Sequence, residues 1–333
     1  MKIIKPNAKE FIQGAGFEGM LKHIERCGRL CYKSEDRITE GSAEKFVEML
    51  KKHAHGAMLE HGTIYLTVPG NDVRDMVARE GSSGDNTNHW LFFLRNLPYS
   101  KCVYKNDNYY VTTNYRVIIE NELVELMEKY AAEPTCFHEK RRTFYMVCDR
   151  GVSHEFVRHR VSSFAQESQR YVAYDKEKYG SKIKFIEPLF FKKDTLPYAI
   201  WMKSCNDAEI AYMTLRSNGA TAQEARTVLP NSTATGLIMT QFESDWTHFF
   251  YLRCAQDAHP QAREVANMIR KIYFHNKTNE ISLNFCNGCP KFEARKKVAL
   301  TQSDSVFDMA VDMQDFVLDC QKTCDRIGVN KDE

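Results

Sequence analysis

An α+β fold, an antiparallel or mixed sheet flanked by helices, is predicted by three features of this sequence. Strand-like and helix-like segments are interspersed along the chain. They follow no regular βαβ rhythm, which argues against a doubly wound parallel sheet. The glycine-rich dinucleotide fingerprint, the phosphate loop and the GxSxG elbow that usually open such sheets are all missing.

Ser42 and the following AEKFVEMLKKHAH predict a capped helix with Phe46, Met49 and Leu50 on one face, ended by Gly56. Thr63 to Val68 (TIYLTV) predicts a strand stopped by Pro69-Gly70. Gly81 to Asn88 is loop-like. A hairpin follows, pairing Val103-Tyr104 with Tyr109 to Thr113 around Asn106-Asp107-Asn108. Glu120 to Ala132 predicts a helix and Arg142 to Cys148 a strand. VSHEFVRHR, after Gly151, has the spacing of a short helix carrying Phe156 and Val157. Helices are predicted at Leu196 to Arg216, Ala222 to Leu229, Asp245 to Cys254 and Gln261 to His275, with a strand at Thr233 to Phe242. Ser305 to Cys324 repeats apolar residues at helical intervals, from Phe307 through Met313 to Cys320.

The 333 residues are enough for a substantial core, and 43% hydrophobic with 27% charged residues is ordinary for a globular protein. No apolar run is long enough to span a bilayer, and the start lacks the apolar stretch of a secretory signal. A cytoplasmic address is the expectation, with reduced thiols for the eleven cysteines. Cys286 and Cys289, with Cys320 and Cys324, offer four thiols, but the second pair falls at helical spacing where small apolar residues belong, so no metal is expected. A net charge of +2 supplies no global field toward nucleic acid or membrane, so anion binding must come from local clusters of Arg and Lys.

Such a cluster spans Arg158 to Tyr171 (RHRVSSFAQESQRY). Three guanidiniums and several hydroxyls fall within a few turns of chain, and this combination suits phosphate oxygens without a glycine-rich loop. A solvated face or a nucleic-acid patch is the alternative on charge alone. Arg158, His159, Arg160, Ser163, Ser168 and Arg170 fit RHRxxSxxxxSxR, and on this signature the chain resembles the flavin-dependent thymidylate synthases. HAHGAMLEH is similar to that family's HxHxxxxEH element, with His55, Glu60 and His61 in matching places. EARTVLP and DWTHFFYLR place Arg226, His248 and Arg253 at family positions, and GRLCY (Gly28 to Tyr32) and YYVTTNYR (Tyr109 to Arg116) add to the likeness. It covers roughly residues 20 to 275. The sequence departs from the usual pattern at Ala57, Glu155 (commonly Gln), Ala165 (commonly Asn) and Gln166 (commonly Glu).

The resemblance implies reductive methylation of deoxyuridylate (dUMP) to dTMP, with FAD reduced by NADPH and methylenetetrahydrofolate as carbon donor. It also implies a single-domain protomer over residues 1–295 and a homotetramer; the periodic segment beyond the resemblance is expected to form a C-terminal helical extension over 296–333, and the balanced charge and lack of long apolar runs predict neither nucleic acid nor membrane as partner. By position, Arg158, His159, Arg160, Gln166, His248 and Glu60 would contact the flavin. Glu155, Arg158, Gln166, Glu167, Ser168, Gln169, Arg170, Arg226 and Arg253 would contact dUMP. Arg253 and His55 are the catalytic candidates: a fixed cation favours the pyrimidine deprotonated at N3, and a histidine can move a proton near neutral pH. Ser168 has no activating partner in the motif and reads as a ligand-binding hydroxyl rather than a nucleophile. His61 is expected to orient its neighbours, while Trp246, Phe249 and Phe250 are expected in the core. Competing readings are a metal-dependent hydrolase built on His53, His55, Glu60 and His61, and a nucleic-acid-binding module using RHR. A thymidylate synthase with a cysteine nucleophile would need a Pro-Cys-His stretch that does not occur.

Overall fold

The computed structural model describes residues 1–81, 96–176 and 180–284. The expected loop at 82–88, the cysteines from Cys286 onward, the helix at Ser305 to Cys324 and the 296–333 extension lie outside them. The chain divides into a unit over Met1–Ala266 and a second over Asn267–Glu333.

The first unit carries the α+β architecture. It opens with β1 (Lys2–Ile4), β2 (Asn7–Phe11), α1 (Gly16–Cys31), α2 (Ser42–Lys52), α3 (Gly56–Leu59), β3 (Thr63–Pro69) and α4 (Gly70–Gly81). The hairpin β4 (Lys101–Lys105) and β5 (Asn108–Asn114) leads to α5 (Tyr115–Glu120), α6 (Val124–Tyr130) and β6 (Arg141–Asp149). Then come α7 (Arg150–Phe156), β7 (Ser163–Gln166), β8 (Lys184–Ile186), α8 (Leu196–Ser217), α9 (Ala222–Ala225), β9 (Ala234–Phe242) and α10 (Glu243–Arg253). The last described helix, α11, runs Pro260–Asn284. In the second unit's described part, Tyr273 and Phe274 meet edge to face at 5.1 Å.

The central sheet is antiparallel, in the order β2-β6-β9-β7. β9 (ATGLIMTQF) is buried along its whole length, so it shows no polar alternation, as expected of a strand covered on both faces. One face presents Phe144 to Trp246 (ring centroids 4.9 Å apart), and Phe156 packs on Phe249 nearby (5.2 Å). Trp246, Phe249 and Phe250 are buried, in agreement with the sequence expectation. The opposite face meets α1 through Cys27, Leu30 and Ile238. Gly28 lets α1 approach α2, since a Cβ there would stand 2.6 Å from the Phe46 ring.

A three-stranded sheet (β3-β5-β4) packs its apolar face into a core shared with α1, α2, α5 and α6. Its hairpin turns on Asn106 and Asp107, whose φ of 48° and 56° mark the tight left-handed turn that suits a two-residue loop. A parallel pair, β1-β8, completes the sheets.

Four expectations need correction. The helix from Ser42 ends at Lys52 and its N-cap is Gly41, in the left-handed region; the Ser42 hydroxyl instead donates to Glu25 at 2.8 Å, and Met49 is exposed. The helix expected over Glu120 to Ala132 breaks into α5 and α6, because Glu122 adopts a φ of 57° between them. The helix expected through RHR stops at Phe156, leaving Arg158 to Arg160 in turn conformation. Ala222 to Leu229 holds only one helical turn and a 3-10 turn at Arg226–Val228. Among the described residues no helix is long and apolar enough to cross a membrane.

Candidate active site

Helix α7 organises the site. Asp149 caps it, its Oδ1 accepting from the Val152 amide at 2.8 Å, while Gln261 donates to Oδ2 at 2.8 Å. Burial pushes the Asp149 carboxyl above the usual carboxylate range, against the backbone hydrogen bonds that favour its charged form. The cap fixes Arg150, Ser153 and Glu155 along a rod about 10 Å long.

At the C-terminal end of α7, Arg253 makes three bonds. Nη1 donates to Glu155 Oε2 at 2.5 Å, Nη2 to the Glu155 carbonyl at 2.7 Å, and Nε to His159 Nε2 at 2.8 Å. His159 is buried against the Phe249 ring (4.9 Å), and the His248 ring is 6.3 Å away on the exposed side. Burial first, then the charges of Arg253 and His248, pull the His159 pKa down to about 4. An acceptor at Nε2 requires the neutral ring with its proton on Nδ1. Beyond it, Arg158 and Arg160 are exposed. Arg160 donates to the carbonyls of Val157 (2.7 Å) and His159 (3.4 Å), and the Arg158 guanidinium has no partner among the described residues.

In the middle, Gln166 donates from Nε2 to Ser153 Oγ at 2.8 Å and Thr235 Oγ1 at 3.4 Å. The signature's second half is a strand, β7, which sequence periodicity did not reveal because four residues are too few to show an alternation. Alternation turns Glu167 away from Gln166, into a buried bond from Lys33 Nζ (2.7 Å) and the Tyr174 hydroxyl (3.1 Å). Gln169 is also buried, with its side chain a hydrogen-bonding neighbour of the Tyr174 hydroxyl. Ser168 is half-buried; its hydroxyl accepts from the Arg170 amide at 3.3 Å.

The N-terminal end of α7 gathers cations. Arg170 donates to Gln223 Oε1 at 2.9 Å, and Gln223 lies in α9, whose capping box has Thr221 and Glu224 satisfy each other's backbone amides. That box positions Arg226, an electrostatic neighbour of Arg150. Burial, with Arg226 adding to it, lowers the Arg150 pKa, although Tyr174 and Glu167 oppose the shift.

The histidine element reaches the same strand from another direction. Arg141 donates to the Glu60 carbonyl at 3.0 Å and to Ser163 Oγ at 3.2 Å, tying Glu60 to the first residue of β7. Burial lowers the Arg141 pKa to about 10. The Glu60 carboxylate is held by Arg116 at 2.7 Å. His61 is fully buried on Thr240 Oγ1 (2.8 Å), whereas His55 is exposed at the N-terminus of α3. This burial removes His61 from any shared metal site with His53 and His55. Among the described residues no group of three His, Cys, Asp or Glu side chains is arranged to hold a metal ion. Sequence reading missed Arg141, Arg150, Ser153 and Lys33. The only signal for the first three was their place in and after a strand that ends at a capping aspartate.

A family model described as thymidylate synthase complementing protein matches residues 106–275, half of the chain, including all of α7, β7 and Arg253. The chain belongs to this family. Relatives named flavin-dependent thymidylate synthase include that of Pyrococcus furiosus, 31% identical over 158 residues, covering 46% of this chain and 64% of that protein. That of Geobacter sulfurreducens is 35% identical over 124 residues, covering 37% and 52%. The chain thus spans about half to two-thirds of the length of these relatives. A UMP/dUMP methylase, PolB from Streptomyces cacaoi, solved with 5-Br dUMP, aligns over 83% of this chain and 93% of its own at 16% identity, with a TM-score of 0.37.

Proposed function

We propose that this chain is a flavin-dependent thymidylate synthase that methylates dUMP to dTMP, with methylenetetrahydrofolate as carbon donor and NADPH as reductant through FAD. The observation that carries the reading is the arrangement along α7. A single rod holds a guanidinium locked in three bonds at one end and a cluster of three arginines at the other. Its length suits a nucleoside monophosphate, with the base beside Arg253 and the phosphate beside Arg150, Arg170 and Arg226.

Arg253 is the group that acts on the base. Held rigid and permanently charged, it favours the pyrimidine with N3 deprotonated, and electrostatic stabilisation fixed in advance costs no reorganisation at the moment of reaction. Neutral His159 accepts from Arg253 and holds its plane. Gln166, Ser168 and Gln169 orient the sugar and phosphate. Glu167, held by Lys33 and the Tyr174 hydroxyl on the other side of the strand, is assigned to the nucleotide site through its charge beside Arg150.

The residues fit a flavin dinucleotide. Arg158 has no partner among the described residues and Arg160 bonds only to backbone carbonyls, so both cations stand ready for a pyrophosphate, with His248 and Glu60 beside them in the assignment. When bound, the flavin supplies the hydride, and the protein supplies position and charge. His55 is proposed to move a proton at the rim of the site. Self-association into a homotetramer and the domain division at residue 295 belong to the same proposal.

The test is an absorption spectrum of purified protein incubated with FAD, followed by NADPH oxidation and dTMP analysis with and without dUMP and methylenetetrahydrofolate. Retained flavin and dTMP formation are expected. A colourless protein that forms no dTMP refutes the reading.

A further inference from the structure

On the side of Glu167 turned away from Gln166, a cavity of about 300 Å³ opens between the β1-β8 ribbon and the central sheet. Five lysines line it: Lys2, Lys5, Lys33, Lys182 and Lys184. The one carboxylate among its lining residues is Glu167, already engaged by Lys33 and the Tyr174 hydroxyl. We infer that this cavity binds a small polyphosphate, at a site that adjoins the one proposed for dUMP across Glu167 but is lined by lysines instead of its arginines.

The lysines are there by design of the backbone. β1 and β8 run parallel with Lys2 opposite Lys184, and Lys182, in the bend just before β8, lines the same cavity. Like charges placed directly opposite one another destabilise a sheet. Neither strand needs lysine here for packing, since Lys2, Lys182 and Lys184 are exposed. Glu187 and Glu264 are electrostatic neighbours of Lys5. Lys2, Lys182 and Lys184 have no carboxylate partner among the described residues. A fold that concentrates cations against its own stability is consistent with a ligand that restores the balance.

The ligand's chemistry follows from the count and kind of charges. One monoanion would neutralise one ammonium and leave the rest repelling. Flexible lysines act as point charges, which suits several phosphates in a row better than a planar carboxylate that calls for an arginine fork. The floor, formed by Tyr145, Val147 and Gly236, supplies no further charge, and the volume lies at the small end of ligand sites. A triphosphate group is the common chemistry, carried either by a nucleoside triphosphate or by inorganic polyphosphate.

Calorimetric titration of the full chain with sodium tripolyphosphate and, separately, with ATP tests the inference. Saturable binding that weakens at least tenfold in Lys182→Ala/Lys184→Ala, and is abolished in Lys182→Glu/Lys184→Glu, is expected, with flavin absorbance unchanged in both variants. Tighter binding of ATP identifies the nucleoside triphosphate as the source, and equal affinities identify the phosphate chain alone. Absence of binding by wild-type protein at millimolar ligand overturns the site. So does binding that survives both lysine variants and is lost in Arg170→Ala/Arg226→Ala, an outcome that leaves the dUMP reading intact.

Discussion

Arg253 and Glu155 are joined twice, Nη1 to the carboxylate at 2.5 Å and Nη2 to the backbone carbonyl at 2.7 Å. One residue therefore supplies both a charge and a rigid backbone acceptor to the same guanidinium. The third bond, to His159 Nε2 at 2.8 Å, leaves the arginine a single orientation.

Removing the guanidinium is therefore expected to differ from loosening it. Arg253→Ala should abolish dTMP formation with flavin retention unchanged, and Arg253→Lys should not rescue it, since an ammonium cannot span three acceptors. Glu155→Ala removes one charge-assisted bond and leaves the carbonyl, so kcat should fall about 10- to 100-fold, the equivalent of roughly 1.5–3 kcal/mol. Glu155→Gln should retain most activity. Steady-state dTMP assays with a flavin spectrum of each variant check all four. Full activity in Arg253→Ala contradicts the role given to it.

Four buried histidines, His138 and the three with the largest shifts, make the fold sensitive to acid. Burial is the leading cause in each case, holding His159 at about 4 and His23 and His61 at about 3, against 6.5 for a free histidine. Depressed folded-state values mean that the unfolded chain binds more protons below about pH 6.5. Stability should be full above that pH and fall as pH drops toward 4 and then 3. For His61 alone the loss is on the order of 4 kcal/mol. Urea unfolding at steps between pH 7 and 4 measures it; a midpoint that does not move across that range counts against the assignment.

A chain of four side chains crosses the central sheet beneath the site. His23 Nε2 pairs with Thr143 Oγ1 (3.1 Å), Thr143 with Thr240 Oγ1 (2.7 Å), and Thr240 with His61 Nδ1 (2.8 Å). Thr143 and Thr240 are cross-strand partners, so the register of β6 on β9 places the hydroxyls in contact. Thr240→Val keeps the shape and strips two neighbours of a buried partner. The expected cost is about 1–3 kcal/mol, read as a lower urea midpoint with an unchanged slope.

Gln166 stands where family members commonly carry Glu, and its surroundings explain why the swap is not free. Ser153 Oγ donates to the Arg150 carbonyl at 2.8 Å and so receives the Gln166 amide as an acceptor. Gln166→Glu replaces a donor with an acceptor facing that oxygen. A lower melting temperature and a raised KM for dUMP are expected, and a variant at least as stable as the parent would show that Ser153 can reverse its bond.

Much of the fold was legible because its signals are local. The 106–107 turn, β3, β6, α8 and the aromatic residues of α10 declare themselves by turn chemistry or by periodicity over a few residues. Glu122 and Gly41 were not legible, because a positive φ at a junction is decided by what the flanking helices pack against. β7 was missed for a related reason: its identity as a strand comes from pairing with β9, not from its own composition.

By itself the sequence determined which residue types this site has to work with and that permanent cations dominate them, since motif spacing and side-chain chemistry are properties of the chain alone. Only the tertiary structure decided their division of labour. Adjacent residues Gln166 and Glu167 face opposite ways, and Arg253 finds Glu155 across nearly a hundred positions. Strand pairing and helix capping set those directions, and neither is encoded within any single stretch of sequence.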